Sequence, residues 1–368
     1  MTLTALTTEI AQRCLAALID PNTGKDFVSG KAVKNLRVDG GQISVDIELG
    51  YPAKTQWAVL QQQIQTALQA LPGCTGTSVN VGSKIIAHTV QGNVKLLPGI
   101  KNVIAIGSGK GGVGKSTTAV NLALALVQEG ARVGMLDADV YGPSQPKMLG
   151  LDDQQPHSVD GKSMQPLEAY GLQVMSIGFL VEADTPMIWR GPMVMQALQQ
   201  LLNDTTWDSL DYLIVDLPPG TGDTQLTLAQ KVPVTGAVVI TTPQDIALLD
   251  ARKGLKMFEK VNIPILGVIE NMSVHICSNC GHAEHIFGTG GGKKMCADFG
   301  SELLGSLPLE LAIREQADSG KPTVISAPDS KAAEIYRSIA RRIAVKIGER
   351  PRDMRDRFPN VVVENKAS

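Results

Sequence analysis

The segment Gly109-Lys110-Gly111-Gly112-Val113-Gly114-Lys115-Ser116-Thr117 limits what this chain can become more than any other. An apolar run, Val103-Ile104-Ala105-Ile106, precedes it, and a stretch rich in alanine and leucine follows as far as Ala125. Gly109 to Ser116 fits the pattern G-x-x-x-x-G-K-[ST] without a gap, between the strand and the helix that a phosphate-binding loop needs. The chemistry dictates those residue types. Glycines let consecutive backbone N–H groups turn toward one anion, and the helix that follows adds positive partial charge at its N-terminus. Lys115 is expected to reach the β- and γ-phosphates, and the Ser116 hydroxyl to hold Mg²⁺. The sequence predicts a nucleotide site here.

The rest of the chain extends that unit. Short apolar runs at Arg132–Leu136, Tyr212–Val215, Ala237–Thr241, Ile265–Glu270 and Leu303–Ser306 alternate with helical stretches. Such alternation predicts an α/β fold, a P-loop NTPase with a mostly parallel sheet covered by helices on both faces. Asp160-Gly161 suggests a small hairpin insertion between Val159 and Ser176. From Lys331 to Ile347, Ile335, Ile339, Ile343 and Ile347 form one stripe, with Arg337, Arg341, Arg342 and Lys346 elsewhere. That pattern predicts a closing helix docked on the core, a basic membrane-surface helix being the alternative.

A small α+β domain is expected to precede the sheet. Its parts are a helix over Thr8–Leu18, a turn at Asp20-Pro21-Asn22-Thr23-Gly24, and a hairpin of Ala32–Val38 with Ile43–Leu49 through Asp39-Gly40-Gly41. A helix over Trp57–Leu71 and a strand at Thr77–Val81 complete it. The organisation expected is therefore the small domain over residues 1–90, a linker over 91–100, the P-loop domain over 101–348 and a loose charged tail over 349–368.

Composition excludes several function classes. With 34 Lys and Arg against 36 Asp and Glu, and 4% aromatic residues, neither a global basic field nor a base-stacking surface is expected, so nucleic acid is not a predicted partner. No apolar stretch approaches the roughly 18 residues of a membrane span, and Met1-Thr2-Leu3-Thr4-Ala5-Leu6 lacks the basic and apolar regions of a signal peptide. Cys277, Cys280 and Cys296 crowd into one short segment among an odd total of five, which suits a reducing compartment and a metal site better than disulfides. Cys14 and Cys74 have no ligand spacing between them and are expected to be buried or idle. The expected location is cytoplasmic.

In sheets of this kind ligands bind beyond the carboxyl ends of the strands. Acids gather at those ends, in Asp137-Ala138-Asp139 and in Asp216-Leu217-Pro218-Pro219-Gly220, and Gly220-Thr221-Gly222-Asp223 is placed to sense a γ-phosphate. Cys277-Ser278-Asn279-Cys280 points two thiols at one metal, with His282, His285 and Cys296 nearby. A redox disulfide, a zinc site that includes His282 and His285, and an iron–sulfur cluster are all compatible with that pair. The cluster requires four thiolates, which two chains related by a two-fold axis would supply.

A second lysine early in the loop, Lys110 in Gly109-Lys110-Gly111-Gly112-Val113-Gly114-Lys115-Ser116-Thr117, resembles the deviant Walker A loop of the MinD/ParA/nitrogenase-iron-protein class. Added to Asp137–Ser144, Trp189-Arg190-Gly191-Pro192, Asp216–Asp223, Glu270-Asn271-Met272-Ser273, the Cys277/Cys280 pair and Phe287-Gly288-Thr289-Gly290-Gly291-Gly292, it makes almost the whole chain similar to the Mrp/ApbC family of iron–sulfur cluster carrier ATPases. The resemblance implies ATP bound by Gly109 to Thr117 and hydrolysed slowly, with Lys110 reaching across a homodimer to the partner's nucleotide. It implies that Asp216 holds Mg²⁺ through water beside Ser116, that Asp139 orients the attacking water with Asp137 closer to the phosphates, and that Asn271 contacts adenine. It also implies a labile [4Fe–4S] cluster on Cys277 and Cys280 that passes to apo iron–sulfur proteins in concert with assembly factors. A MinD- or ParA-like positioning ATPase would explain Lys110 but not the cysteine pair, and a structural zinc knuckle would explain the pair alone. Cys296 falls outside the family pattern.

Overall fold

The computed structural model describes residues 6–91, 94, 96–158, 160–180, 191–277 and 279–353. The first unit opens with α1 (Thr8–Ala16), whose Ile10 N–H is capped by the Thr7 hydroxyl. Strands β1 (Val33–Asp39) and β2 (Gln42–Leu49) pair antiparallel through Gly40 and Gly41, at φ +51° and +87°. Two successive left-handed residues give the turn twist that flanking strands favour, so the Gly-Gly step fixes the hairpin. Helix α2 (Trp57–Gln69) then crosses over, and β3 (Gly76–Ser83) joins β2 in parallel. Ile43, Val45, Ile47 and Leu49 alternate to one face of β2 and are buried, as are Leu60, Ile64 and Leu68 of α2. The periods of two and near four in the sequence become a sheet with a helix on it.

The second unit runs β4 (Ile100–Ser108), α3 (Lys115–Gln128), β5 (Val133–Asp137), α4 (Gln145–Leu149), β6 (Leu167–Ala169) and β7 (Leu172–Ser176). It continues with α5 (Gly191–Asn203), β8 (Leu210–Asp216), α6 (Asp223–Lys231), β9 (Gly236–Thr241), α7 (Asp245–Lys260) and β10 (Ile265–Glu270). A small ribbon of β11 (His275–Ile276) and β12 (Ala283–Glu284) precedes α8 (Gly291–Asp298), β13 (Leu303–Ser306), α9 (Leu311–Asp318), α10 (Thr323–Ser326) and α11 (Lys331–Gly348). Eight strands form one sheet in the order β13-β10-β9-β4-β8-β5-β7-β6. Every neighbouring pair is parallel except β6 with β7 at the edge. The central strands β8 and β9 are buried along their whole length, which is why they read as unbroken apolar runs.

Two expectations need correction. The insertion does contain a hairpin, but its turn is Tyr170-Gly171, at φ +54° and +78°, and not Asp160-Gly161. The Asp160 carboxylate instead accepts the N–H groups of Lys162 and Ser163, which closes a local loop without pairing strands. The second arm of the true hairpin, β7, is a buried member of the main sheet beside β5. Helix α11 does lay Ile339, Ile343 and Ile347 on the core and packs against α3, but Arg341 is buried with them. Its guanidinium donates to the Glu129 and Glu334 carboxylates.

Glu129, at the end of α3, is fully buried and ties the two units together. Its carbonyl accepts the Lys54 N–H at 3.0 Å, and its carboxylate accepts the Thr55 N–H at 3.1 Å and the Thr55 hydroxyl at 2.7 Å. Arg341→Met keeps the apolar stem and strands the Glu129 charge, a loss of about 3–5 kcal/mol for a buried pair. A urea unfolding series should show that loss, with most of it recovered in Glu129→Gln/Arg341→Met. A change below about 1 kcal/mol, the level of an exposed pair, would show that the pair is effectively solvated.

Candidate functional site

The loop between β4 and α3 is shaped by what touches its glycines. A Cβ on Gly109 would lie 2.1 Å from the Asp250 carbonyl carbon of α7, and one on Gly114 would lie 2.3 Å from Asn271 Nδ2. Gly112 and Gly114 take φ of +81° and +78°. Positions 111 and 112 face open space, with nothing within 4 Å of a Cβ placed there. The loop is thus wedged on two sides and open on the third. Helix α3 carries neither a side-chain cap nor an acidic residue in its first turn, so its leading N–H donors remain for an anion. The Ser108 hydroxyl braces the loop on the Lys110 carbonyl at 2.9 Å, and Lys110 itself is half-buried.

Lys115 is only 6% exposed and lies within a nest of acids. Its ammonium donates to Asp216 Oδ1 and, at 3.1 Å, to Ser116 Oγ, and stands 3.6 Å from Asp139 Oδ2. Asp137 and Asp216 are register partners at the ends of β5 and β8, so sheet pairing alone makes them neighbours. Burial and the Asp216 charge push the Asp137 carboxyl up to about 7, against the pull of its backbone donors. Those donors are the N–H groups of Asp139, Ser144 and Gln145, joined by the Ser176 hydroxyl at 3.0 Å. Asp137 therefore organises the loop that carries Asp139. Burial also raises Asp139, and Lys115 opposes it.

The Gly220 N–H donates to the Ser108 carbonyl at 2.9 Å, so the stretch after β8 starts against the base of the P-loop. Gly222 and Asp223 beyond it are exposed, as a segment meant to respond to a ligand requires. Sequence reasoning missed Gln145. It is fully buried, and its Nε2 donates to Asp216 Oδ2 at 3.0 Å and to the Ser116 carbonyl at 3.2 Å. No spacing rule marks a glutamine whose partners come from two other elements.

The end of β10 joins this site to the cysteines. Asn271 Nδ2 donates to the Val113 carbonyl at 2.9 Å, so its amide grips the P-loop itself, and its Oδ1 accepts the Met272 N–H. The preceding Glu270 accepts the Gly292 N–H at 2.7 Å and caps α8, which gives the Gly290-Gly291-Gly292 run a structural purpose. A Cβ on Gly292 would meet that carboxylate at 2.6 Å. Between those two anchors stands the β11–β12 ribbon with the cysteines at its tip. Gly281 N–H donates to the Cys277 carbonyl at 2.8 Å, and Cys277 N–H to the His282 carbonyl at 2.9 Å. The N–H groups of Cys280 and Asn279 face the Cys277 sulfur and draw its thiol below the usual range, which favours the thiolate that binds metal. Cys280 is exposed.

The remaining candidates lie apart. His285 holds the Ser273 carbonyl through Nδ1 at 2.7 Å, at the base of the ribbon, and His282 is exposed. Cys296 is buried in α8 and its thiol is raised by burial; Cys14 and Cys74 are half-buried, each directed at a backbone carbonyl. Among the described residues, no group of three or more His, Cys, Asp or Glu is arranged to hold a metal ion. Ser278, Trp189, Arg190 and the tail from 354 on lie outside the described residues.

Comparison with known proteins follows the same division. The family model described as NUBPL iron-transfer P-loop NTPase matches residues 99–344, and that of an iron–sulfur cluster assembly protein matches residues 10–81. An iron–sulfur cluster carrier protein of Pseudomonas fragi is 59% identical over 278 residues, 75% of this chain and 97% of that protein. One from Salmonella typhimurium is 50% identical over 333 residues, 90% of each chain. Among solved structures, a nucleotide-binding protein from Archaeoglobus fulgidus in complex with ADP aligns with a TM-score of 0.54 at 35% identity, covering 61% of this chain and 88% of that one.

Proposed function

The chain belongs to the NUBPL-type family of iron-transfer P-loop NTPases, and on that premise we propose that it is an ATPase that carries an iron–sulfur cluster and delivers it to apoproteins. One observation supports this reading above the others: the end of β10 grips the P-loop through Asn271 and also begins the ribbon that bears Cys277 and Cys280. Nucleotide and thiolates are therefore served by one short segment.

The residues present fit ATP and a divalent cation. An uncapped helix start, two left-handed glycines and a buried lysine match a polyphosphate, while Ser116 Oγ and the Asp216 carboxylate are hard oxygen donors placed around Lys115. Mg²⁺ held by Ser116 and Asp216 would supply positive charge across the β- and γ-oxygens. Lys115 exchanges its carboxylate partners for phosphate oxygens, and Asp139 orients the attacking water. Lys110 acts in a homodimer on the partner's nucleotide. Lys110→Ala should therefore leave ATP affinity within about threefold of wild type and slow hydrolysis by about a hundredfold, since it removes a charge used only in the transition state. Equal losses of affinity and rate would place Lys110 on its own chain's phosphates instead.

The cargo is assigned as a [4Fe–4S] cluster bridging two chains, because each contributes two thiolates and an exposed ribbon tip leaves room for the second pair. Clients are apo iron–sulfur proteins, and the match of residues 10–81 to an iron–sulfur cluster assembly protein supports assembly factors as further partners. We place the protein in the cytosol, where its five free cysteines remain reduced. Anaerobic reconstitution with iron and sulfide, followed by visible absorption and metal analysis, tests the function. Visible colour that accompanies bound iron and sulfide is the expectation for a thiolate-bound cluster. A colourless protein that retains stoichiometric zinc would replace the carrier reading with a structural knuckle.

A further inference from the structure

Gln145 carries an unmet demand at the centre of the nucleotide site. Both hydrogens of its Nε2 are committed, one to Asp216 Oδ2 at 3.0 Å and one to the Ser116 carbonyl at 3.2 Å. Its Oε1 is buried and, among the described residues, has no hydrogen-bond partner. Flipping the amide does not resolve this, since it would set Oε1 against two acceptors and leave the donors facing the gap. The network fixes the orientation, and a buried acceptor of this kind calls for a donor that the described residues do not supply.

The surroundings limit what that donor is. The carboxamide oxygen shares its carbon with a nitrogen bonded to Asp216 and Ser116, the two residues read here as the divalent-cation ligands. Divalent cations such as Mg²⁺ retain several waters when bound by few protein groups, and such a water is a strong donor. Gln145 also starts α4, where its own N–H holds Asp137 at 3.1 Å, so its backbone is anchored and its side chain has little freedom to turn away. The geometry points to Gln145 as a positioning residue for the cation: Nε2 fixes the Asp216 carboxylate, and Oε1 receives a water of the Mg²⁺ shell. This rests on the nucleotide reading above. It adds that cation affinity, separately from phosphate affinity, depends on a glutamine that touches no phosphate.

Mn²⁺ serves as the probe, its free concentration followed by electron paramagnetic resonance in the full-length protein saturated with ADP. Gln145→Met retains the length and removes both polar atoms. It should raise the Mn²⁺ dissociation constant at least tenfold, while ADP affinity in EDTA stays within twofold of wild type. On an Asp216→Asn background the same substitution should lower Mn²⁺ affinity by clearly less than it does in wild type, because only the water contact of Oε1 is then left to lose. Should Gln145→Met not fold, Gln145→Asn, which retains the amide but falls short by one methylene, is expected to show the same selective loss. Unchanged Mn²⁺ affinity in the folded variant, or an undiminished loss on the Asp216→Asn background, overturns the inference and leaves the nucleotide site standing. Wild-type protein that binds no ADP-dependent Mn²⁺ overturns both.

Discussion

Lys115→Ala is expected to abolish measurable ATP and ADP binding. Among the described residues, the ammonium is the one positive charge set among Asp216, Asp139 and the Ser116 hydroxyl. Removing it takes away the charge that would pair with the β- and γ-phosphates. It also leaves Asp216, fully buried, and Asp139, 8% exposed, without their counter-charge beside the point where a polyanion must dock. Truncating one partner of a buried, hydrogen-bonded charge pair costs about 2–5 kcal/mol, and repulsion from the stranded carboxylates adds to it. Affinity should fall by roughly a thousandfold or more, about 4 kcal/mol. Isothermal titration with ADP and ATP checks this, and cluster loading by reconstitution should continue in the same variant. A loss smaller than about tenfold would mean that the loop backbone and the start of α3 hold the phosphates unaided.

Cys277→Ala and Cys280→Ala should each remove stable cluster binding while leaving ADP affinity unchanged. The ribbon tip offers one sulfur whose thiolate is favoured by the N–H groups of Cys280 and Asn279, and a second that is exposed. A cluster shared by two chains loses two of its four thiolates when either position is changed, because the two-fold axis duplicates the substitution. Iron and sulfide after anaerobic reconstitution should fall from about four of each per dimer to near zero. Cys296→Ala is the control: that sulfur is buried in α8, its thiol raised by burial, and its loss should leave iron content unchanged. Four irons retained on a monomer, or full loading of the Cys280 variant, would end the bridging arrangement.

Together, these results would separate the two sites that meet beyond the end of β10. Asn271 and the P-loop respond to the lysine substitution, and the ribbon responds to the cysteine substitutions. A short link through Met272, at φ +57°, Ser273 and Val274 joins them. The left-handed residue immediately after Asn271 fixes the direction in which the ribbon leaves the sheet.

What the sequence determined by itself was whatever depends on neighbours along the chain. The P-loop was legible because Gly112 and Gly114 must adopt left-handed angles next to a strand and a helix whose patterns are local. The Gly40-Gly41 hairpin, the unbroken apolar runs of β8 and β9, and the acids at strand ends are also local signals, and a parallel sheet converts those ends into one site. The turn at Tyr170-Gly171 was hidden because a non-glycine residue takes φ +54° there, while Asp160-Gly161 offered the more familiar signal. Tertiary structure alone decided the pairings between distant residues: Gln145 with Asp216, 71 positions apart, Asn271 with Val113, 158 apart, and Arg341 with Glu129, 212 apart. A charged residue on an amphipathic helix defaults to the solvent side, and only a buried carboxylate delivered by another element could bring Arg341 inside. Sequence patterns record the periodicity of one element, whereas a buried polar contact is set by which two elements the fold brings together.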